Sequence, residues 1–165
     1  MSLKQPANDP AEIEAAIRSS YLAQGLSEAQ VRSLNKIARW QTFRKGEPII
    51  EQYDQARDLL ILASGTAHVL TDLGEPIGWI RPGMPMGEVA LLDERTRSGT
   101  IIAVEPCAVV VLPAEPLLAL LKKSPSLAAK CLYNLSRILC DRLRTANKNL
   151  AALMAIEESE IRPHR

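Results

Sequence analysis

The sequence predicts an α+β fold, mainly β, in which a β-roll or jelly-roll barrel lies between N-terminal helices and a long C-terminal helix. Glycine divides the 165 residues, because the flanks are nearly free of it and the middle third holds seven of the eight glycines, at positions 46, 65, 74, 78, 83, 87 and 99. Glycine between short apolar runs is typical of tight turns between strands. The flanks instead carry apolar residues at helical spacing. The length favours a single domain with helical extensions.

Residues 1–42 are expected to form a helical extension with two short helices. Asp9 is a suitable N-cap with Pro10 at the first helical position, and Gly25 ends this unit. Ser27 is the expected cap of a second helix that runs to about Trp40. The apolar faces of the two helices consist of Ile13, Ile17 and Leu22 and of Val31, Leu34, Ile37 and Ala38.

Residues 43–113 are expected to form the β-roll. The candidate strands are 48–51, 58–63, 66–70, 77–80, 100–104 and 107–112. Short strands at this close spacing are typical of a sandwich, a jelly roll or a barrel. The runs 59–62 and 108–112 are apolar throughout, which indicates strands that are buried on both faces.

Residues 114–165 are expected to be helical. A short helix from Ala114 to Lys123 is followed by Ser124-Pro125, where Ser124 is the expected N-cap of a long helix over about 125–157. Apolar residues recur along this helix at spacings of 3, 4, 4, 3, 4 and 3, as Leu132, Leu135, Leu139, Leu143, Ala146, Leu150 and Leu153. Such a pattern is a coiled-coil seam with one stutter. The seam could pack on its own barrel, but its length favours a homodimer through this helix.

The overall composition narrows the class of protein. Hydrophobic residues make up 47% of the chain, aromatic residues make up 4%, and the net charge is +1, so the chain as a whole does not attract nucleic acid or an anionic membrane. No apolar stretch approaches the ~18 residues of a membrane span, and the polar residues 1–10 do not form a signal peptide. Cys107, Cys131 and Cys140 lie in separate apolar runs and are expected to be reduced, buried thiols of a cytoplasmic protein.

The most informative stretch covers residues 83–100 and reads GMPMGEVALLDERTRSGT. Gly87 precedes a segment expected to form one helical turn, whose free N–H groups favour an anion. Arg97 comes nine residues after Glu88, and its guanidinium can donate two hydrogen bonds to one phosphate. An ionised Glu88 only accepts hydrogen bonds and therefore suits a sugar hydroxyl. Together the two side chains predict a site for a ligand with one phosphate and one sugar hydroxyl.

This stretch resembles the phosphate-binding cassette of cyclic nucleotide-binding domains, which occur in bacterial catabolite activator proteins and in the regulatory subunits of cAMP-dependent kinase. The family pattern F-G-E-x-A-L, followed by R-[AST]-A-T, is similar to MGEVAL at 86–91 and to RSGT at 97–100. Similarity over 43–49, 59–65 and 101–112 extends the resemblance to about residues 40–154. The fold that it implies is the cyclic nucleotide-binding barrel, with the cassette at 83–100.

The resemblance implies a role for each matching residue. Arg97 would pair with the cyclic phosphate, and Glu88 would bind the ribose 2′-hydroxyl. The phosphate site would be lined by the backbones of Gly87, Val89, Ala90 and Ser98. The long helix would cap the base, and the capping candidates on it are Thr145 and Asn147.

The function that the resemblance implies is that of a non-catalytic receptor for cAMP. It leaves cGMP open, because the hydroxyl of Ser98 can reach a guanine amino group. Binding would move the long helix and signal to an unknown protein partner, and neither a cofactor nor a metal is expected. Too few residues follow the long helix for the helix-turn-helix of the family's transcription regulators, so specific DNA binding by this chain alone is not expected.

Three departures from the family pattern leave an alternative open. Tyr53 lies where the family usually has a turn glycine, Gly99 replaces an alanine, and Met86 replaces an aromatic residue. A degenerate barrel that serves only as a dimerisation or scaffold module would have Tyr53 or Met86 filling its pocket. A cupin-like metalloenzyme would need a histidine pair with a carboxylate, and the chain has only His68 and His164.

Overall fold

The computed structural model describes residues 9–161, with the side chains of residues 9–156. The α-helices in this part of the chain are α1 (Pro10–Ser19), α2 (Glu28–Asn35), α3 (Glu88–Asp93), α4 (Ala114–Lys123) and α5 (Pro125–Ile161). The strands are β1 (Arg39–Phe43), β2 (Pro48–Ile50), β3 (Leu59–Ser64), β4 (Ala67–Leu70), β5 (Pro76–Ile80), β6 (Pro85–Met86), β7 (Thr100–Ala103) and β8 (Cys107–Leu112). The expected α+β fold is confirmed, although helices occupy more of the chain than expected, since α5 alone has 37 residues.

The strands form two four-stranded antiparallel sheets that make up the β-roll. One sheet has the order β1-β8-β3-β6, and the other has the order β2-β7-β4-β5. Strand β8 is central in the first sheet, because it pairs with β1 on one side and with β3 on the other. The strands β3 and β8 therefore hold the barrel and its flanking helices together.

Both faces of β3 and β8 are buried, as their apolar runs predict. Side chains alternate between the two faces of a strand. Leu59 and Ile61 of β3 therefore pack with the helices, together with Val110 and Leu112 of β8. The intervening residues of both strands face the second sheet, as Leu60, Leu62, Val109 and Val111. Two hydrophobic cores thus share the same pair of strands.

The predicted helix starts are confirmed by their caps. The side chain of Asp9 accepts a hydrogen bond from the Ala11 amide at 2.9 Å, with Pro10 in the first turn. Ser27 and Gln30 form a reciprocal capping box at the start of α2. At the start of α5, the Ser124 hydroxyl accepts from the Leu127 amide.

The boundary between the N-terminal helices and the barrel differs from the expectation. Helix α2 ends at Asn35 rather than near Trp40, and β1 begins at Arg39, before the expected boundary at residue 43. The whole of β1 pairs with β8, from Arg39 opposite Val111 to Phe43 opposite Cys107. Backbone pairing with a buried strand thus overrides the helical spacing of Ile37 and Ala38, which nevertheless pack against the core.

The apolar seam of α5 divides into two parts. Leu135 is buried in the core shared with the N-terminal helices, and Leu139 is half-buried. Further along, Leu143, Leu150 and Leu153 are each more than half exposed. Leu135 and Leu139 therefore pack within their own chain, whereas Leu132 at the start of the seam and the outer part are exposed in the described chain.

Stability should decrease at alkaline pH because of one buried thiol. Burial raises the pKa of Cys131 on α5 from its ordinary value to about 11. The folded state thus holds the thiol proton more tightly than the unfolded chain, so the stabilisation is complete below about pH 9 and is lost as the pH rises toward about 11. We expect the free energy of unfolding to fall by about 2 kcal/mol over this interval, relative to Cys131→Ala.

Urea unfolding at a series of pH values tests this expectation. Cys140 of the same helix was expected to be buried, but its thiol is exposed, because an apolar run on a helix also includes positions that face away from the core. The matched control is therefore Cys140→Ala, which should keep the decrease. An identical slope for the wild type and Cys131→Ala would show that ionisation of Cys131 does not limit stability.

Candidate functional site

The turn before α3 is shaped by a glycine in the left-handed region. Gly87 lies between β6 and α3 with φ +82°, a backbone conformation that residues other than glycine rarely adopt. A Cβ atom at this position would lie 2.9 Å from the carbonyl oxygen of Asp58 and would overlap the guanidinium of Arg97. The glycine therefore makes room for the arginine side chain.

Arg97 is buried with only 4% of its surface exposed. Its Nη1 donates to the carbonyl oxygen of Gly87 at 3.0 Å, and its Nη2 donates to the carbonyl oxygen of Asp58 at 2.8 Å. Both acceptors are neutral. Burial lowers the pKa of this guanidinium below its ordinary value, and the nearby carboxylates oppose the shift only in part. A bound anion would therefore stabilise the buried positive charge.

The backbone of Arg97 is fixed by the loop that follows β2. Its amide donates to the carbonyl of Asp54 at 2.8 Å, and its carbonyl accepts from the amide of Tyr53 at 3.0 Å. Tyr53 has a φ of +69°, in the left-handed region, and its side chain is 70% exposed. The substitution noted in the sequence thus places tyrosine in a backbone conformation that suits glycine, and its ring lies outside the pocket.

Glu88 is the most deeply buried charged side chain of the site, with 1% exposure. Its Oε1 pairs with Arg142 of α5, which also donates through Nη2 to the carbonyl of Pro85 at 2.6 Å. The other carboxylate oxygen, Oε2, is buried without a hydrogen-bond partner among the described residues. A buried acceptor of this kind is costly unless something donates to it, which makes it a candidate contact for a ligand hydroxyl.

These side chains surround one pocket with a volume of about 370 Å³. Six of the eight predicted site residues line it: Gly87, Glu88, Val89, Ala90, Arg97 and Ser98. The remaining wall is mostly apolar and comes from the β2-β7-β4-β5 sheet, the residue before β7 and α5, as Ile50, Val69, Gly99, Ile101, Leu139, Arg142, Leu143 and Ala146. A pocket of this volume, lined by a few charged side chains and many apolar ones, suits a small amphipathic ligand.

The structure does not bring the other two predicted residues into this pocket. Thr145 lines a neighbouring groove, and its hydroxyl donates to the carbonyl of Asp141 within its own helix at 3.0 Å. Asn147 is exposed and lines neither cavity. The reason is helical geometry, because the pocket is faced by positions 139, 142, 143 and 146, and residues 145 and 147 point to either side of that stripe.

Arg142 is the site residue that the sequence interpretation missed. It was one of several basic residues on the long helix, and a solvated face is the usual explanation for such residues. Its position three residues after Leu139 and four residues before Ala146 of the apolar seam was the available signal, since residues three and four apart lie on one helix face. The signal becomes specific only because the structure places that face over Glu88.

The features expected of a degenerate pocket are not observed. Met86 is fully buried in the core between the sheets and does not line the pocket. The ring of Tyr53 is exposed. Gly99 lines the pocket, and no atom lies within 4 Å of the place where a Cβ would be. The pocket therefore remains open despite the three departures from the family pattern.

Replacing Tyr53 with glycine should stabilise the protein. The left-handed conformation costs a side-chain-bearing residue about 1–2 kcal/mol, and part of this gain is offset by the greater freedom of glycine in the unfolded chain. The exposed ring contributes little packing, so we expect the free energy of unfolding to rise by about 0.5–1 kcal/mol.

Urea unfolding of Tyr53→Gly and Tyr53→Ala provides the test. Alanine removes the ring but keeps the conformational cost, so it should not stabilise the protein. If both variants lose stability equally, the ring is more important than the backbone conformation at this turn.

A second, larger groove of about 710 Å³ lies between α5 and the β4–β5 hairpin. Large exposed apolar side chains contribute to it from both walls: Tyr21, Ile77, Trp79, Leu150 and Leu153. His68 packs edge-on against Trp79, with ring centroids 3.8 Å apart.

The described residues contain no cluster of three or more metal-binding side chains, and His164 lies outside the described residues. None of the described helices is long and apolar enough to cross a membrane.

Comparison with known proteins identifies relatives over most of the chain. The profile of the cyclic nucleotide-binding domain matches residues 40–124. The Cyclic AMP receptor protein of Thermus thermophilus is 33% identical over 150 residues, which cover 88% of this chain and 67% of that protein.

Solved structures of cyclic nucleotide-binding proteins also superpose on most of the chain. The Catabolite Activator Protein of Thermus thermophilus superposes with a TM-score of 0.68 at 32% identity, over 82% of this chain and 63% of that one. A cyclic nucleotide-binding domain from Methylobacillus flagellatus superposes with a TM-score of 0.75 at 24% identity, over 87% of this chain and 83% of that one, which supports the fold. The chain thus spans about two thirds of the length of the Thermus thermophilus relatives that it matches, 67% in the sequence comparison and 63% in the structural one.

Proposed function

Because the chain belongs to the cyclic nucleotide-binding domain family, we propose that it is a sensor that binds a cyclic nucleotide, cAMP in the first place, in the pocket beside α3. The observation that carries this proposal is the incomplete bonding of two buried charged side chains at one end of the pocket. Arg97 has only neutral carbonyl partners, and Glu88 has a buried oxygen without a partner among the described residues. The proposal is of a binding protein and not of an enzyme.

The phosphate is proposed to bind at Arg97. The guanidinium is fixed by two hydrogen bonds, to the carbonyl oxygens of Gly87 and Asp58, and it has five N–H donors in all. It can therefore direct further donors to a phosphate without losing its support. Val89, Ala90 and Ser98 line the same pocket, and their backbone N–H groups are proposed to contact the phosphate. A charge-assisted pair in a buried site is among the strongest polar contacts.

The ribose hydroxyl is proposed to bind at Glu88. Arg142 occupies Oε1 of this carboxylate and keeps the buried charge paired. Oε2 has no partner among the described residues, so it can accept a hydrogen bond from the 2′-hydroxyl. A ligand without that hydroxyl would leave the buried oxygen unsatisfied, which is the usual basis for rejecting such an analogue.

The base is proposed to lie against α5, on Leu139, Leu143 and Ala146. The helix then contributes both an apolar wall and the arginine that holds Glu88. A ligand that contacts the barrel and α5 together shifts the equilibrium toward the helix position that it contacts best. We propose that this shift of α5 is the signal passed to a protein partner. The name of the Cyclic AMP receptor protein favours cAMP, and the Ser98 hydroxyl at the pocket leaves cGMP as the second ligand to test.

Isothermal titration with cAMP, cGMP and 2′-deoxy-cAMP tests the proposal. We expect micromolar or tighter binding of at least one of the two natural nucleotides, and weaker binding of the 2′-deoxy analogue. An absence of heat with either natural nucleotide, from protein shown to be folded, would contradict the proposal and favour the scaffold module.

A homodimer through α5 is part of the proposal. The outer part of the seam is exposed at Leu143, Leu150 and Leu153, and the groove beside it is apolar. Contiguous apolar surface of this kind is typical of interaction sites, and a seam repeated along one helix suits the same helix of a second copy. Cys107 and Cys131 are free and buried, which fits a reducing, cytoplasmic location.

Replacing Leu150 with glutamate should convert the proposed dimer to a monomer, because the substitution places a charge in the apolar seam. Sedimentation velocity measures the result. The matched control is Lys148→Glu, which also adds negative charge to an exposed position of α5 and should remain dimeric. A monomeric wild-type protein, with and without nucleotide, would exclude the dimer.

A further inference from the structure

Asp58, the residue before β3, contacts three separate parts of the molecule. Its carbonyl oxygen accepts from Nη2 of Arg97 at 2.8 Å. Its carboxylate accepts from the amide of Ala114 through Oδ1 at 2.9 Å and pairs through Oδ2 with Arg39 at 3.1 Å. One residue thus joins the proposed phosphate-binding arginine to the first residue of α4 and to β1.

The contact with α4 provides a hydrogen-bond acceptor for an N–H group at the start of that helix. The first N–H groups of a helix have no partner within the helix, and a side chain at the N-cap usually accepts from one of them. Here the N-cap is Pro113, which makes no side-chain capping bond. The carboxylate of Asp58 supplies the acceptor from another element, and a negative charge at this end of a helix is favourable.

A closed chain of contacts then runs around the pocket. Helix α4 packs against α5 and is separated from it by Ser124 alone. Helix α5 carries Arg142, which pairs with Glu88. Glu88 follows Gly87, whose carbonyl oxygen binds Arg97. Arg97 and Glu88, the proposed phosphate and ribose contacts, are thus connected through both α4 and α5.

We propose that Asp58 is a positioning residue that couples the guanidinium of Arg97 to the start of α4. The proposal rests on the function proposed above, since a phosphate is the group that would pull on Arg97. The backbone carbonyl and the carboxylate belong to the same residue, so a displacement of Arg97 changes the bond between Oδ1 and the Ala114 amide. The side chain is 27% exposed, so core packing does not lock it in place.

Hydrogen exchange at the start of α4 measures this coupling. In the wild type, saturating cAMP should change the exchange rate of peptides that cover Ala114 by about fivefold, the scale of one hydrogen bond. Asp58→Ala keeps the backbone carbonyl, so it should bind cAMP within about fivefold of the wild-type affinity, but its α4 amides should no longer respond to the nucleotide. Asp58→Asn keeps an acceptor at Oδ1 and should restore the response.

Arg39→Ala is the matched control, because it removes the ion pair with Asp58 and leaves both other contacts in place. Its exchange response should equal that of the wild type. A response of wild-type size in Asp58→Ala would overturn the proposal, because the signal would then reach α4 by another route.

The coupling can also be separated from the proposed function. If the wild type binds neither cAMP nor cGMP, the function proposal fails, and the exchange of the unliganded protein decides the coupling. Arg97→Ala should then alter exchange at Ala114 in the wild-type background and have no effect in the Asp58→Ala background. Equal effects of Arg97→Ala in both backgrounds would overturn the proposed role of Asp58.

Discussion

Replacing Arg97 with alanine should lower the affinity for cAMP by about 100-fold or more, because truncation of a buried, hydrogen-bonded charge that pairs with a ligand costs about 3 kcal/mol or more. Among the described residues that line the pocket, the cationic side chains are Arg97 and Arg142. Arg142 already pairs with Glu88, so the variant removes the buried cation that is available to the phosphate. Arg97→Lys should also bind weakly, since an ammonium cannot donate from a planar fork to the phosphate and the two carbonyls together.

Isothermal titration of cAMP measures this loss, with the fold of each variant verified by circular dichroism. The matched control is Arg95→Ala, which removes the same charge from an exposed position of the same loop and should keep the wild-type affinity within about threefold, as expected for an exposed charge. An Arg97→Ala variant that binds cAMP as well as Arg95→Ala does would place the phosphate elsewhere.

Replacing Gly65 with alanine should give the largest loss of stability from a single methyl group. Gly65 lies between β3 and β4 with φ +85°, and a Cβ there would lie 2.5 Å from the carbonyl oxygen of Pro106 and 2.9 Å from Cα of Cys107. Both neighbours are backbone atoms and cannot rotate away. A left-handed conformation costs about 1–2 kcal/mol, and overpacking adds about 1–3 kcal/mol, so we expect a loss of about 2–5 kcal/mol.

Gly74→Ala separates the two contributions. Gly74 has a φ of +82°, and no atom lies within 4 Å of the position of its Cβ, so this variant should lose only the conformational part, about 1–2 kcal/mol. Urea unfolding of both variants gives the comparison. Equal losses would mean that the β3–β4 turn moves away from Pro106 and that close packing at Gly65 adds nothing.

The fold could be predicted where local signals agree with the tertiary structure. The caps at Asp9, Ser27 and Ser124 depend on neighbouring backbone amides, and the structure contains all of them. Strand β1 was missed because its backbone pairs with β8, which lies more than 60 residues later in the chain. Strand β6 has only two residues, Pro85 and Met86, and so short a segment carries no alternation that could be detected in a sequence.

In the candidate site, too, the residues close together in the sequence could be predicted, and those brought in by a distant element could not. The stretch from Gly87 to Ser98 is nearly contiguous, so its residues could be grouped from the sequence alone, and six of them line one pocket. The contribution of α5 depends on where that helix crosses the barrel, which periodicity alone does not give. That is why Arg142 was overlooked and why the capping candidates Thr145 and Asn147 lie to either side of the helix face that lines the pocket.

The length of α5 makes it a lever whose fixed end lies on the core. Leu127, Cys131 and Leu135 are buried near its start, whereas the helix continues to Ile161. At 1.5 Å per residue, the portion beyond Leu143 is about 27 Å long. A rotation of about 15° at the pocket, on the scale of known rigid-body switches, would move the tip by about 7 Å. A rearrangement of one hydrogen bond at Glu88 or Arg97 could thus be amplified into a displacement larger than a helical turn.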